Sequence, residues 1–308
     1  MSQGNGRPAG GRSSAGRPSK VKGGREPAGE ALLRELEAEG TGVLPRVLDA
    51  RRVALVVAHP DDESVGLGAQ LPRLSGVRVV HVTDGAPANM ADARAYGFDT
   101  REEYAAARRD ELEAAMAVAG IPPMRVVGLG IADQEASFVM PGLARRLAEL
   151  FDRGDVGAVL THPYEGGHPD HDATCFAVHA AVALLRGQGL PAPDILEMAS
   201  YHAGPDGRIR TGLFLPRPGR EVALLLDMDQ QMLKRRLFDC HRTQRAMLEQ
   251  FPLEVERVRP APSYDFLAPP HPGRLFYEQF DWGVDGERWR GEAAASIAQL
   301  GLEAPPWR

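Results

Sequence analysis

Residues 52 to 63 read RVALVVAHPDDE, an apolar, β-branched run from Val53 to Ala58 that stops abruptly at His59-Pro60-Asp61-Asp62-Glu63. Such a run has the length of a strand and falls short of a helix. Its lack of alternation marks a strand covered on both faces. The same grammar repeats downstream. SVGLGAQLPRL (64–74) has helical spacing and VRVVHVTD (77–84) forms a second strand. The stretch from Thr100 to Gly120 opens with Thr100 three residues before Glu103, a capping box, and stops on glycine. MRVVGLG (124–130) is a third strand, PGLARRLAELFDRG (141–154) a helix, VGAVLTH (156–162) a fourth strand and DATCFAVHAAVALLRG (172–187) a helix. Doubly apolar strands that alternate with helices specify an α/β fold: a Rossmann-like, doubly wound, mostly parallel sheet with helices on both faces.

Outward from this unit, EALLRELEAEG (30–40) reads as a short amphipathic helix. Residues 1 to 28 hold almost nothing apolar and are read as a disordered basic tail, followed by one domain over 29–308. After about residue 190 come two short strand-like pieces, ILEMASYHAG (195–204) and REVALLLDM (220–228). A long helix from Asp229 to Gln250 and a final helix near 286–300 follow. This C-terminal part is expected to extend the sheet and cover the site.

The net charge is -6 over 308 residues, yet residues 1 to 25 carry six basic residues and no acid, which leaves -12 for the rest. An acidic body argues against a nucleic-acid footprint. Two cysteines, Cys175 and Cys240, are too few for a disulfide framework and lack CxxC spacing, so a reducing, cytoplasmic setting is expected. No apolar stretch approaches 18 residues, so no spanning helix is expected.

The first strand runs into His59-Pro60-Asp61-Asp62-Glu63, and the fourth ends shortly before His168-Pro169-Asp170-His171. In an order 3-2-1-4-5 these strands are neighbours at the switch point, where ligands bind outside the carboxyl ends. Two imidazoles and a carboxylate without thiolate suit Zn²⁺, or Fe²⁺ or another divalent transition metal. The natural ligand set is His59, Asp62 and His171. Asp61 is then left beside the ion as a carboxylate free to accept a proton. His168 is a second imidazole for a developing oxyanion or a leaving amine, and Asp170 a carboxylate to orient a histidine. His81, inside a strand, and His179, on a helix, are read as packing residues.

AHPDDE after the first strand and GGHPDH after the fourth together resemble the PIG-L or LmbE-like zinc-dependent de-N-acetylases. That family includes the N-acetylglucosaminyl-phosphatidylinositol deacetylase and the deacetylases of mycothiol and bacillithiol synthesis. The resemblance runs from about residue 51 to 250. It implies the same ligands, His59, Asp62 and His171, with Asp61 as base and His168 assisting the tetrahedral intermediate. It further implies substrate contacts from Arg108, in an Arg-x-x-Glu pattern with Glu111, and from Asp133 in GIAD. Lys234, His241 and Gln244 match a family helix of Lys, six residues, His-x-Thr-Gln. Mycothiol-type members have a mobile tyrosine two residues before the second motif; here that position is Gly166, and Tyr164, the nearest tyrosine, is the candidate substrate contact reaching the site from a Gly-rich loop, with packing against that loop as its alternative.

These readings converge on a metal-dependent hydrolase that removes an N-acetyl or other N-acyl group from an N-acetylglucosamine-type sugar or conjugate. Its partner would be that small molecule, with no specific nucleic acid. An amidase on a non-sugar amide is the alternative within enzymes, with specificity set by residues 85–99. A non-catalytic sugar-binding protein with a structural metal is the alternative outside them. Asp61 argues against the latter, since a structural site gains nothing from an unliganded carboxylate.

Overall fold

A computed structural model describes Met1, residues 26–38 and residues 46–307; most of the expected tail lies outside the described residues. Among them, a seven-stranded sheet is built from β1 (Val53–Val57), β2 (Arg78–Pro87), β3 (Val126–Asp133), β4 (Ala158–Thr161), β5 (Asp194–Met198), β6 (Val222–Leu225) and β7 (Val255–Pro260). Their order across the sheet is β6-β7-β5-β4-β1-β2-β3. The five strands from β5 to β3 run parallel, and β7 and β6 add on antiparallel. The expected 3-2-1-4-5 order is present, and the C-terminal segment widens the sheet. VERVRP, which becomes β7, carries two arginines and a proline and gave no strand signal. It pairs because its Arg259 answers the buried Glu197 of β5 at 2.9 Å.

Alternation along β1 divides the core. Ala54 and Val56 face one layer, formed by α4 (Met140–Arg153), α5 (Pro169–Gly187) and α7 (Gly286–Leu300). Leu55 and Val57 face the other, formed by α1 (Ala28–Glu37), α2 (Asp62–Leu67), α3 (Arg101–Ala119) and α6 (Met228–Cys240). The Thr100–Glu103 capping box closes at the start of α3, and Gly120 ends that helix at φ 72, a left-handed conformation suited to glycine.

Three boundaries differ from the sequence reading. Ala28 opens α1, so the helix takes in the last residue assigned to the tail. The helical spacing of 64–74 yields only Asp62–Leu67, followed by a short 3-10 turn at Leu71–Arg73. The single helix expected over 229–250 breaks at His241 (φ -87, ψ 65), after which the chain continues as a 3-10 turn and a short helix, Arg245–Leu248. The break lets the His241 ring, fully buried, reach Ser64 and Glu63.

Candidate metal centre

The carboxyl ends of β1, β3 and β4 open on the same side, and the His/Asp residues gather there. The turn after β1 is shaped by one of its own side chains and one from β2: the His59 amide donates to Asp62 Oδ2 at 2.7 Å, and Thr83 Oγ1 donates to the Ala58 carbonyl. His168 caps α5, its Nδ1 accepting from the Asp170 amide at 3.1 Å. That bond leaves the His168 proton on Nε2.

His59 Nδ1 lies 3.2 Å from His171 Nε2, Asp62 Oδ1 is 3.2 Å from that same nitrogen, and Asp62 Oδ2 is 3.4 Å from His59 Nδ1. Donor atoms held tetrahedrally about 2.1 Å from an ion lie roughly 3.4 Å apart, so these spacings, with Asp62 turning one oxygen to each imidazole, have the dimensions of a metal site. The cluster of His59, Asp62 and His171 is buried and could hold a metal ion. The remaining ring nitrogens are held from behind. His59 Nε2 faces Asp133 Oδ1 at 3.0 Å and Asp170 at 3.4 Å, and His171 Nδ1 lies 3.3 Å from Ser200 Oγ. Such partners fix tautomer and orientation in histidine metal sites.

Asp61 stands beside this triangle. Burial pushes its carboxyl above the usual range, partly opposed by Arg108, whose guanidinium lies 3.2 Å away, and reinforced by Asp62. Burial, His59 and His171 hold His168 well below the ordinary imidazole value. It is therefore a neutral N–H donor near neutral pH. Burial likewise pushes Asp170 up to about 6, while its oxygens accept the Gln134 and Ala136 amides.

Arg108 and Asp133 both line the cavity over the cluster. Arg108 also donates to the Gly85 and Pro60 carbonyls, and Asp133 gives an oxygen to His59. Glu111 turns away and accepts from Thr243. Tyr164 corrects the expectation of a substrate contact. Its ring is buried among Tyr264, Phe266 and Trp289, and its hydroxyl donates to the Ala268 carbonyl at 3.0 Å. Aromatic packing in the core outweighs the approach to the site. Lys234 is a buried clamp, donating to Val65 O and paired with Glu256 at 3.2 Å, whereas Gln244 reaches the Tyr104 hydroxyl and the cavity wall. His179 packs on Tyr264 and Phe266, as a packing residue should. His81 donates to the fully buried Glu63 at 2.9 Å.

Several site residues carried no sequence signal. His162, the last residue of VGAVLTH, stacks on His171 at 3.9 Å, accepts the Ala58 amide and is pushed down to about 4 by burial and His171. Tyr201 meets the His171 ring edge-on at 5.2 Å, and Trp282 lies 4.7 Å from His168. The position of His162 at the end of a central strand was the one available clue. Tyr201 arrives from a short strand, Tyr201–Ala203, and Trp282 from a loop. Asp92, within the stretch 85–99, also reaches the cavity, from a short helix at Ala91–Ala95.

The cavity over the cluster holds about 340 Å³. A larger groove of about 670 Å³ between α3 and the β2–β3 edge includes His81 but none of the triangle. Donor chemistry, not volume, distinguishes the first.

Residues 54–182 match the family model described as PIG-L, GlcNAc-PI de-N-acetylase. The chain is 29% identical over 188 residues to 1D-myo-inositol 2-acetamido-2-deoxy-alpha-D-glucopyranoside deacetylase of Kineococcus radiotolerans, a match covering 51% of this chain and 52% of that protein. It therefore spans about half the length of that relative. It is 36% identical over 214 residues to the Nocardioides protein of the same name, covering 58% of this chain and 70% of that one. A crystal structure of a deacetylase in the teicoplanin biosynthesis pathway superposes with a TM-score of 0.53 at 18% identity, over 68% of this chain and 97% of that one, a likeness of fold. Among the described residues no helix is long and apolar enough to cross a membrane.

Proposed function

The chain belongs to the PIG-L de-N-acetylase family, and from that premise we propose that it is a metal-dependent hydrolase releasing the acyl group of an N-acetylglucosamine-type glycoside as free acid and amine. The observation that carries the reading is the His59–Asp62–His171 triangle, with edges of 3.2 to 3.4 Å, beside a carboxylate, Asp61, that is not one of its corners. The donor set of two imidazoles and one carboxylate suits Zn²⁺ first and Fe²⁺ second. Residues 29–308 form the single hydrolase domain in this reading.

When bound, the ion supplies Lewis acidity, polarising the acyl carbonyl and letting water act as nucleophile near neutral pH. Asp61 takes the proton of the attacking water, a task favoured by a carboxyl whose affinity for protons burial has raised. His168, with Nδ1 engaged by the Asp170 amide, presents Nε2–H to the carbonyl oxygen as negative charge develops there. Asp133 and Asp170 hold His59 from behind, and Arg108 fixes the Asp61 carboxylate. The protonated Asp61 then passes its proton to the departing amine nitrogen, which restores the base.

The test is direct. Zinc-loaded protein incubated with N-acetylglucosamine glycosides should generate primary amine, detected with fluorescamine, and acetate in equal amount. Chelator-treated protein should generate neither. Equal amine with and without chelator, or none from any glycoside, would overturn the reading.

A further inference from the structure

The cavity over the triangle has walls of opposite character. Its floor and one flank carry Asp61, Asp62, Asp92 and Asp133. Among the described residues the cation lining it is Arg108, whose guanidinium is already engaged by Asp61, Gly85 O and Pro60 O. The other flank is a continuous arc of rings. Phe251 meets Tyr201 at 6.2 Å, Tyr201 meets Phe276 at 5.7 Å, and Phe276 meets Phe280 at 5.5 Å. Phe280 stacks on Trp282 at 4.6 Å and 13°, and Trp282 leans on His168 at 4.7 Å. The arc thus runs from the candidate oxyanion donor past Phe280, which is 44% exposed, to the buried Phe251.

These rings line the cavity wall, with Phe251 buried, Tyr201, Phe276 and Trp282 half-buried and Phe280 exposed, and a ring-lined cavity wall beside a few polar groups is the usual character of a small-molecule site. The arc's polar atoms are the Tyr201 hydroxyl and the Trp282 indole N–H; Phe276 and Phe280 offer none, and hydroxyls of a polar aglycone seated on those two rings would be buried unpaired at a cost. Apart from Asp62, a proposed metal ligand, and Asp61, paired with Arg108, the cavity presents Asp92 and Asp133 to an anionic aglycone without a cationic side chain to answer it. Rings, by contrast, gain from stacking and from area removed from water. Resting on the hydrolase reading above, we infer that the substrate is an N-acyl glucosaminide whose aglycone is an uncharged aromatic group. That aglycone packs on Phe276, Phe280 and Trp282 while the acylated nitrogen reaches the triangle.

Calorimetry on the zinc-loaded protein separates the possibilities. The probes are phenyl N-acetylglucosaminide in both anomers, free N-acetylglucosamine, N-acetylglucosamine 1-phosphate, and N-benzoylglucosamine, with amine release measured on the same samples. The better phenyl anomer should bind roughly 10-fold more tightly than the free sugar, a difference of the size expected for burying one ring. The 1-phosphate should bind more weakly than the free sugar. Phe280→Ala should abolish most of the phenyl gain and leave the free-sugar affinity within about twofold, and Phe280→Trp should retain it. Equal affinity for phenyl glycoside and free sugar overturns the inference, as does tighter binding of the 1-phosphate. So does an equal gain from N-benzoylglucosamine, which would assign the arc to the acyl side. A phenyl preference without amine release from any probe sustains the aromatic subsite and refutes the hydrolase. Amine release with no preference does the reverse.

Discussion

Arg108→Met tests how the proposed base is tuned. In the folded protein the guanidinium is 3% exposed, lies 3.2 Å from Asp61 Oδ2 and ties down two backbone carbonyls. Two unit charges at that distance interact by about 5 kcal/mol at an effective dielectric constant of 20, equivalent to almost 4 pKa units. Methionine fills much of the volume, but some water enters and recovers part of the loss, so Asp61 should rise by about 1 to 3 units. The base must be ionised to accept a proton. The acid limb of kcat/KM against pH, followed by fluorescamine, should therefore move to higher pH by that amount, with KM little changed at the alkaline plateau. Arg108→Lys restores charge without the fork and should recover part of the shift. The sign for stability follows from linkage. In the variant a carboxyl with raised folded pKa binds more protons than in the unfolded chain, so stability falls as pH rises from the unfolded value through the folded one. Breaking a buried pair costs about 3 to 5 kcal/mol when the remaining partner is charged. The drop in Tm should accordingly be larger at pH 8 than at pH 5. An acid limb that stays with wild type while KM climbs would show that Arg108 acts on substrate and that its contact with Asp61 is incidental.

Other perturbations separate ligand, base and core. His171→Ala removes one of three proposed ligands and should lower metal content and activity together; stoichiometric metal in that variant, by elemental analysis, would exclude His171 from the centre. Asp61→Asn should keep its metal and lose roughly 10² to 10⁴-fold in kcat, the usual worth of general acid–base catalysis. Asp62→Asn should instead lose metal, a neutral amide being the poorer ligand; the opposite pattern would exchange the two roles. Tyr164→Phe removes one hydrogen bond to Ala268 O and should cost about 1 kcal/mol of stability, read as a small fall in Tm, with kcat/KM within about twofold of wild type. A collapse of turnover in that variant would return Tyr164 to the site.

The parallel part of the sheet was legible because strands covered on both faces carry an unbroken apolar signature, and Val53–Val57 is such a strand. The triangle was legible for a related reason: its side chains leave strand ends or follow them closely, so topology alone brings them together. What escaped was whatever tertiary contact decides. His241 breaks a helix that local propensity would continue, because its ring is held among Glu63 and Ser64. The strand β7 pairs around an arginine because a buried glutamate awaits it. Tyr164 and Tyr201 are the instructive pair. Tyr164 stands four residues before His168 and yet faces the aromatic core, whereas Tyr201, thirty residues after His171 in sequence, lies edge-on against that ring. Proximity along the chain favoured the wrong tyrosine. Gly167 lies so close to the Tyr201 carbonyl that a Cβ there would meet its oxygen at 2.0 Å. The glycines of GGHPDH therefore do more than loosen a loop. Gly166 makes room for the Leu275 side chain, and Gly167 lets the Tyr201 backbone approach the second motif closely enough for its ring to reach the site, which links an unexceptional glycine to the aromatic wall that should select the substrate.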